Sequence, residues 1–344
     1  MTTTAKTLSF VIPSYNMEAY LDRCVNSLLS AHRTDDLEIL IIDDGSKDGT
    51  LAYAQKLEHN NPGIVRAIHQ ENKGHGGAVN TGIEAATGKY VKVVDADDWV
   101  GPESLEDVLA TLREEITRDD PIDMLVTNYV YDKVEKRHKH VVNFRHAMKP
   151  GKRLTWDDLG HFGLAEYILM HALIFRTDVV RASGMKLPEH TFYVDFIYAY
   201  QPFPWVKTLK YLDTPFYHYY IGREGQSVQT DVMIRRVDQL RLVNQCMVKA
   251  TPERGTVPDG LYRYMIHFLA IESSVASVFM ILSKDPANYA KKEALWNDIK
   301  AYSPSIYADV RKKAMSRALN LRGSAGRFII RSGYVVAEKV VGFN

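Results

Sequence analysis

Three polar clusters stand where apolar runs of this 344-residue chain end, and their residue types suit phosphate and sugar chemistry. Asp95-Ala96-Asp97 follows Val91-Lys92-Val93-Val94 and runs on into Asp98. In an extended segment residues two apart point to the same side, so Asp95 and Asp97 present two hard oxygen ligands together. Such a pair suits a divalent cation, Mg²⁺ or Mn²⁺, which takes one or two protein carboxylates and fills its shell with phosphate oxygens and water. The same tripeptide also reads as a solvated turn with helix-capping aspartates. Asp43-Asp44-Gly45-Ser46 ends the apolar run 37–42. Its carboxylates can accept a hydrogen bond from the N3–H of a pyrimidine or from a ribose hydroxyl. It can equally be a tight turn, with Gly45 at positive φ and Asp44 or Ser46 capping a helix. Residues 13–16 end the run 8–12, and Tyr15 there can stack on a base or simply pack. Gly74-His75-Gly76-Gly77 opens a helical stretch, where glycines can cradle a diphosphate with Lys73 alongside. It is not a dinucleotide fingerprint. Val79 stands at the sixth position of G-x-G-x-x-G/A, and the segment follows the third strand, not the first.

The elements that must position these groups alternate along the first hundred residues. Apolar runs at 8–12, 37–42, 64–69 and 90–94 read as strands. Helical spacing separates them at 18–30, 48–57 and 76–86, with Asp48 or Thr50 available to cap the second helix. That alternation predicts an α/β fold, a mostly parallel sheet flanked by helices on both faces. Ligands bind such sheets outside the carboxyl ends of the strands, and all three polar clusters fall at those ends. Beyond Trp99 the pattern loosens. A helix is expected at 104–113, strands at 123–131 and 139–144, mixed structure at 164–181 and 193–200, and an aromatic strand at 210–220. From about residue 231 the spacing is helical, over 233–250, 260–283 and 289–301.

Taken in order, six segments resemble the family 2 glycosyltransferases of GT-A fold. They are Val11-Ile12-Pro13-Ser14-Tyr15-Asn16, Ile42-Asp43-Asp44-Gly45-Ser46-Lys47-Asp48-Gly49-Thr50, Asn72-Lys73-Gly74, Asn80-Thr81-Gly82-Ile83, Ala86-Thr87-Gly88-Lys89-Tyr90 and Asp95-Ala96-Asp97-Asp98. The resemblance implies an inverting enzyme of hexosyltransferase type that uses a nucleotide-sugar donor, a UDP-sugar favoured, with Mn²⁺ or Mg²⁺. It places Pro13, Tyr15 and Glu18 along the nucleotide, with Asp43 or Asp44 on the base and Asp44 preferred. Lys73 and Gly74 fall at the diphosphate, and Ala96 lies between the acids. Asp95 faces the ribose or the metal, and Asp97 ligates the metal. The family's catalytic carboxylate matches Asp195 in Tyr193-Val194-Asp195, with Val194 where a Glu is usual; Glu189 is the alternative base. Asp195 also suits the N-cap of a helix over 196–200. Tyr217-His218-Tyr219-Tyr220 and Arg223-Glu224-Gly225-Gln226-Ser227 resemble the tyrosine-rich strand and basic loop that close the catalytic domain, with Arg223 on the diphosphate. His171 falls on the acceptor side, or is a buried core histidine.

The domain expectation is a catalytic domain over 1–225, its nucleotide-sugar half about 8–100 and its acceptor half about 101–225, then a mainly helical extension over 226–344. Lys+Arg is 43 and Asp+Glu 42, a net charge of +1, which excludes a general polyanion binder and so nucleic acid. With 46% apolar and 25% charged residues, bulk disorder is excluded. Cys24 and Cys246 make neither a disulfide framework nor a Cys-rich zinc site. The N-terminus shows no apolar signal core, and no run approaches about 18 consecutive apolar residues. The expected setting is therefore cytoplasmic, without a bilayer span. From 306 to 344 eight basic residues face two acids, among apolar neighbours such as Phe328 and Ile329. Such a tail can lie on an anionic membrane at the inner face of the plasma membrane, or pack on the protein. A carbohydrate or lipid-linked acceptor would suit bacterial cell-surface polysaccharide or glycolipid synthesis. The rival readings are a sugar-nucleotide nucleotidyltransferase and an inactive nucleotide-sugar-binding scaffold. The first should carry a Gly-rich basic loop after its first strand, where this chain has Pro13-Ser14-Tyr15-Asn16.

Overall fold

A computed structural model describes residues 6–133, 139–221, 229–321 and 323–341, with side chains as far as Tyr334. It falls into two compact units. The first comprises Met1–Gly160, Ile168–Val194 and Trp205–Ile221, and the second His161–Tyr167, Asp195–Pro204 and Gly222–Asn344.

The first unit is built as the alternating pattern requires. In chain order it holds β1 (Leu8–Ser14), α1 (Glu18–Leu29), β2 (Leu37–Asp43), α2 (Thr50–Asn60), β3 (Val65–His69), α3 (Gly74–Ala85) and β4 (Tyr90–Val93). Then come β5 (Trp99–Val100), α4 (Pro102–Glu115), β6 (Met124–Lys133), β7 (His140–Val142), β8 (Arg153–Leu154), β9 (Leu173–Arg176) and α5 (Thr177–Ala182). After α6 (Asp195–Tyr198), which belongs to the second unit, β10 (Leu209–Ile221) completes the sheet. β1 and β2 are buried along their whole length, as strands covered on both faces must be. α1 turns Leu21, Cys24, Val25 and Leu28 inward, a helical stripe of apolar residues. α3 lies so close to β1 that a Cβ at Gly82 would stand 2.1 Å from Val11 Cγ1. It starts at Gly74, two residues before the sequence expectation.

The strand order is β3-β2-β1-β4-β9-β6-β10-β5. β3, β2, β1 and β4 are mutually parallel, and β9 is antiparallel to both β4 and β6. Two reversals bring β6, and with it β10, back to the direction of β1. The carboxyl ends of β1, β2, β4, β6 and β10 therefore open on one rim. The expected strand pair at 123–131 and 139–144 is real: β7 folds back antiparallel on β6.

The second unit is helical, with α7 (Thr230–Arg235), α8 (Val237–Ala250), α9 (Asp259–Leu282), α10 (Pro286–Tyr302), α11 (Pro304–Lys312), α12 (Ala314–Leu319) and α13 (Gly323–Val341). The single helix expected over 233–250 breaks at Arg236, whose φ −112 and ψ 23 leave the helical region. No run of about 18 consecutive apolar residues occurs, but one helix meets a looser test of length and composition. α9 is long and apolar enough to cross a membrane by length and composition, with mean hydropathy 1.9 over its best window. That window is 78% buried inside the protein, as the central helix of this unit. Glu272, Ser273, Ser274 and Ser277 interrupt its apolar run in the sequence. Each of these serines satisfies itself on the carbonyl four residues back.

Candidate active site

The loop after β4 carries Asp95, Asp97 and Asp98, and each acid is held differently. Asp98 is a buried pin. Its Oδ2 accepts from Tyr217 Oη at 2.5 Å and its Oδ1 from the Tyr220 N–H at 2.8 Å. Burial, with Asp97 and Asp95 adding their charge, pushes its carboxyl well above the usual range. Asp97 is fixed through its backbone, whose carbonyl accepts from Arg23 Nη2 at 2.6 Å. The Arg23 guanidinium lies 3.9 Å from the centre of the Trp99 ring and 4.7 Å from that of Tyr220.

Asp95 is the carboxylate most open to a ligand, its side chain 24% exposed. Its N–H donates to Tyr217 Oη, its Oδ1 meets His75 Nε2 at 2.9 Å, and its Oδ2 lies 3.9 Å from His171 Nε2. Burial alone would raise its pKa, but the His75 hydrogen bond and charge outweigh that and hold it below the usual range. Asp95 is thus ionised at neutral pH. His171 is brought down to about 4 by burial and stays neutral. Its Nδ1 is buried without a hydrogen-bond partner.

The turn that carries His171 is tethered from below by Lys92. This lysine is fully buried in β4 and donates to the carbonyls of His171 at 2.8 Å, Leu173 at 3.2 Å and Met170 at 3.4 Å. Burial pulls its pKa down to about 7. Ligand atoms of Asp95, Asp98 and His171 all lie within 4.8 Å of one another, and Asp97 is not part of that group. An ionised carboxylate with neutral imidazole and further acids beside it suits Mg²⁺ or Mn²⁺, and the nitrogen favours Mn²⁺. Asp95 and His171 therefore fit such a cation, whereas the spacing suggests the pair Asp95 and Asp97, which the turn at 96–97 does not present together as an extended segment would.

The second cluster separates Asp43 from Asp44. Asp43 is spent internally: its Oδ2 meets His69 Nδ1 at 2.6 Å and its Oδ1 accepts from Ser46 N–H. Asp44 Oδ1 accepts from Gln70 Nε2 at 2.7 Å and from the Lys73 N–H at 2.8 Å. Thr81 Oγ1 donates to Gln70 Oε1 and so orients that amide. Asp44 Oδ2 is buried and has no hydrogen-bond partner. A buried carboxylate oxygen left unpaired is costly, and a ligand donor would satisfy it. Gly45 takes φ +72, as its turn requires.

Around this pocket Tyr15 is 41% exposed, while Pro13 is buried within β1 opposite Ile42. Glu18 Oε2 accepts the Gly49 N–H, so its carboxylate braces the turn before α2. Lys73 precedes α3, and among the described residues no carboxylate pairs with its ammonium. Gly74 has φ +74, and a Cβ there would stand 2.9 Å from the backbone of His190. The Lys73 carbonyl accepts the His190 N–H, and Asn80 bonds both the N–H and the carbonyl of Leu187. The start and body of α3 thus clamp residues 187–190.

Beside His171, Tyr129 and Tyr131 of β6 lie opposite Tyr217 and Tyr219 of β10. His171 stacks on Tyr219 with ring centres 4.4 Å apart and lies 4.8 Å from Tyr217. His190 and Tyr193 both sit at positive φ, 49 and 65. That is strained backbone for side-chain-bearing residues, and it leads directly to Asp195. Asp195 opens α6 and the second segment of the second unit, one peptide bond beyond Val194. Glu189 is exposed. Ala96 is buried between the acids. Arg223 lies outside the described residues.

Sequence reasoning misses the roles of five residues here. In the sequence His75 is only part of a glycine loop, and Gln70 only a spacer. Asp98 and Tyr217 meet across 119 positions, a pairing that no local spacing announces. Lys92 does carry a signal, since a lone cation inside an apolar strand must find buried partners.

Residues 9–175 match the model of the family described as "Glycosyl transferase family 2". Among curated proteins, the chain is similar to the uncharacterized glycosyltransferase YibD of Escherichia coli (strain K12). They are 30% identical over 225 residues, 64% of this chain and 63% of that one. The chain thus spans less than two thirds of the length of the curated relatives it matches first. Among solved structures it resembles S. aureus TarS 1-349 in complex with UDP-GlcNAc, at TM-score 0.65 and 20% identity over 91% of this chain and 90% of that one. It also resembles the mannosyltransferase PcManGT from Pyrobaculum calidifontis in complex with GDP-Man and Mn2+, at TM-score 0.52 and 15% identity over 90% and 86%. These likenesses show the fold, a GT-A sheet flanked by helices with a helical C-terminal region.

Proposed function

We propose, since the chain belongs through residues 9–175 to glycosyl transferase family 2, that it moves a sugar from a nucleoside-diphosphate donor to an acceptor hydroxyl with inversion. One observation carries the reading: two strand ends on one rim present Asp44, with an unpartnered buried oxygen, and Asp95, ionised and open. A UDP-sugar is the donor we favour. Asp44 Oδ2 suits the N3–H of uracil, Tyr15 can stack on the ring, and the relative TarS binds UDP-GlcNAc.

Asp95 and Asp97 are the residues we assign to hold Mn²⁺ or Mg²⁺, Asp97 on the family resemblance alone and Asp95 also on its grouping with His171; PcManGT is in complex with Mn2+. The cation supplies Lewis-acid stabilisation of the leaving diphosphate when bound. Lys73 and the start of α3 add positive charge for the same group. Asp195 takes the proton of the acceptor hydroxyl as that oxygen attacks the anomeric carbon. The Tyr131 and Tyr219 wall, with His171, suits the acceptor, a carbohydrate or a lipid-linked saccharide. Synthesis of a cell-surface polysaccharide or glycolipid at the inner face of the plasma membrane is the setting we assign, with the basic tail as its contact.

Nucleotide release from UDP-sugars with Mn²⁺ and an acceptor extract tests this. Wild type should turn over, and Asp195→Asn should lose about 10²–10⁴-fold. Wild-type activity in Asp195→Asn would overturn the assignment of Asp195 as general base. Tight UDP-sugar binding without turnover would favour the scaffold reading instead.

A further inference from the structure

The helical unit contains a cationic cavity that the transfer reaction does not use. It measures about 340 Å³ and opens between α10, α11 and α13, lined by Lys292, Trp296, Arg311, Asn320 and Arg327 with Glu293 at its edge. A second depression of about 370 Å³ adjoins it through the shared Arg311 and adds Lys312 and Arg317.

The charges around the first cavity are poorly compensated. Lys292 is only 6% exposed, yet its two contacts, Glu293 Oε1 and Asn320 Oδ1, both lie at 3.4 Å, the long limit for a hydrogen bond. Glu293 is mostly solvated, its side chain 73% exposed. Among the described residues neither Arg311 nor Arg327 has a carboxylate partner. Arg311 donates to the Ser316 carbonyl and lies over Trp296, and Arg327 lies over Tyr289. Burial holds the Lys292 ammonium below its usual pKa; the charge and hydrogen bond of Glu293 pull the other way, and Arg311 and Arg327 add smaller lowering effects.

Crowding three cations around one partly enclosed space costs free energy unless an anion fills it. Two planar guanidinium forks and one point-charge ammonium form a donor set suited to phosphate oxygens.

We propose that this cavity binds a phosphate or diphosphate group, at a site separate from the donor site and independent of the donor reading. The group can be free in solution or borne by a lipid. Phe328 and Ile329, 69% and 57% exposed, follow Arg327 in the sequence and are the apolar side chains through which a lipid source is tested.

The full chain is titrated calorimetrically with inorganic pyrophosphate in EDTA, which removes cation-dependent donor binding. In parallel it is floated with vesicles of phosphatidylglycerol and phosphatidylcholine (1:1) and of phosphatidylcholine alone. Wild type should bind pyrophosphate or the anionic vesicles. Lys292→Met and the double variant Arg311→Gln/Arg327→Gln should each weaken that binding at least tenfold while binding UDP with Mn²⁺ as wild type does, which also shows that they fold. Pyrophosphate uptake without flotation identifies a soluble ligand. Flotation that Phe328→Ser/Ile329→Ser abolishes identifies a lipid-borne one. Binding of neither probe, or binding unchanged by both sets of substitutions, overturns the proposal. Failure of wild type to bind UDP would instead strike the donor reading and leave this site standing.

Discussion

Asp43 and Asp44 are neighbours of one residue type, and only their surroundings separate them. Asp43 is closed off by His69 and Ser46, whereas Asp44 keeps one buried oxygen without a donor. Asp44→Asn should therefore raise KM for a UDP-sugar by roughly 10–100-fold, in line with the roughly 1–3 kcal/mol that an unsatisfied buried polar group costs. Its kcat should change much less, because the nucleobase lies far from the bond that breaks. Steady-state kinetics on both parameters check this, and an unchanged KM would remove Asp44 from the donor site. At this scale the sequence was legible wherever chemistry is local. The Gly45 turn and the strand-end position of each acid follow from neighbouring residues, whereas the Asp95-Ala96-Asp97 spacing did not announce that Asp95 groups with Asp98 and His171. The roles of Asp98, His75 and Lys92 do not, because their partners Tyr217, Asp95 and the 170–173 carbonyls come from other strands and turns.

Among the elements, α9 shows how a buried acid changes the behaviour of a whole helix. Glu272 is fully buried, receives a hydrogen bond from Asn244 and has its pKa raised by burial to about 8. Unfolded, it would titrate near 4.3. It is therefore protonated in both states at low pH, and its contribution is whole there. As pH rises through 5 to 8 the unfolded chain releases the proton first, and stability falls by up to about 1.4 kcal/mol per pH unit. Glu272→Gln should flatten that decline in a thermal melt series, with little effect at pH 5. A variant that melts with the wild-type slope would contradict the shift. The elements of the first hundred residues were readable because short-range alternation dictates them. The insertion of β9 between β4 and β6 was not, since antiparallel entry into a parallel sheet is decided by long-range pairing. The break between α7 and α8 was hidden because no Gly or Pro marks Arg236. α9 itself read as a helix, and only its full length of apolar character went unseen, broken up by Glu272 and the serines.

Among the described residues, Asp44 and Asp95 stand at strand ends on one rim of the sheet in the first unit, and Lys292, Arg311 and Arg327 line one cavity in the helical unit. The first of these arrangements carries the proposed function, in which the acids after β4 would take a nucleoside diphosphate through a divalent cation. Calorimetric titration of UDP decides whether they do, run on the wild-type chain with Mn²⁺ and then with EDTA, and on Asp97→Asn with Mn²⁺. Saturable binding to wild type is expected, dependent on Mn²⁺ and at least tenfold weaker in Asp97→Asn. UDP binding of equal strength in EDTA and in Asp97→Asn would refute the cation-bridged donor site.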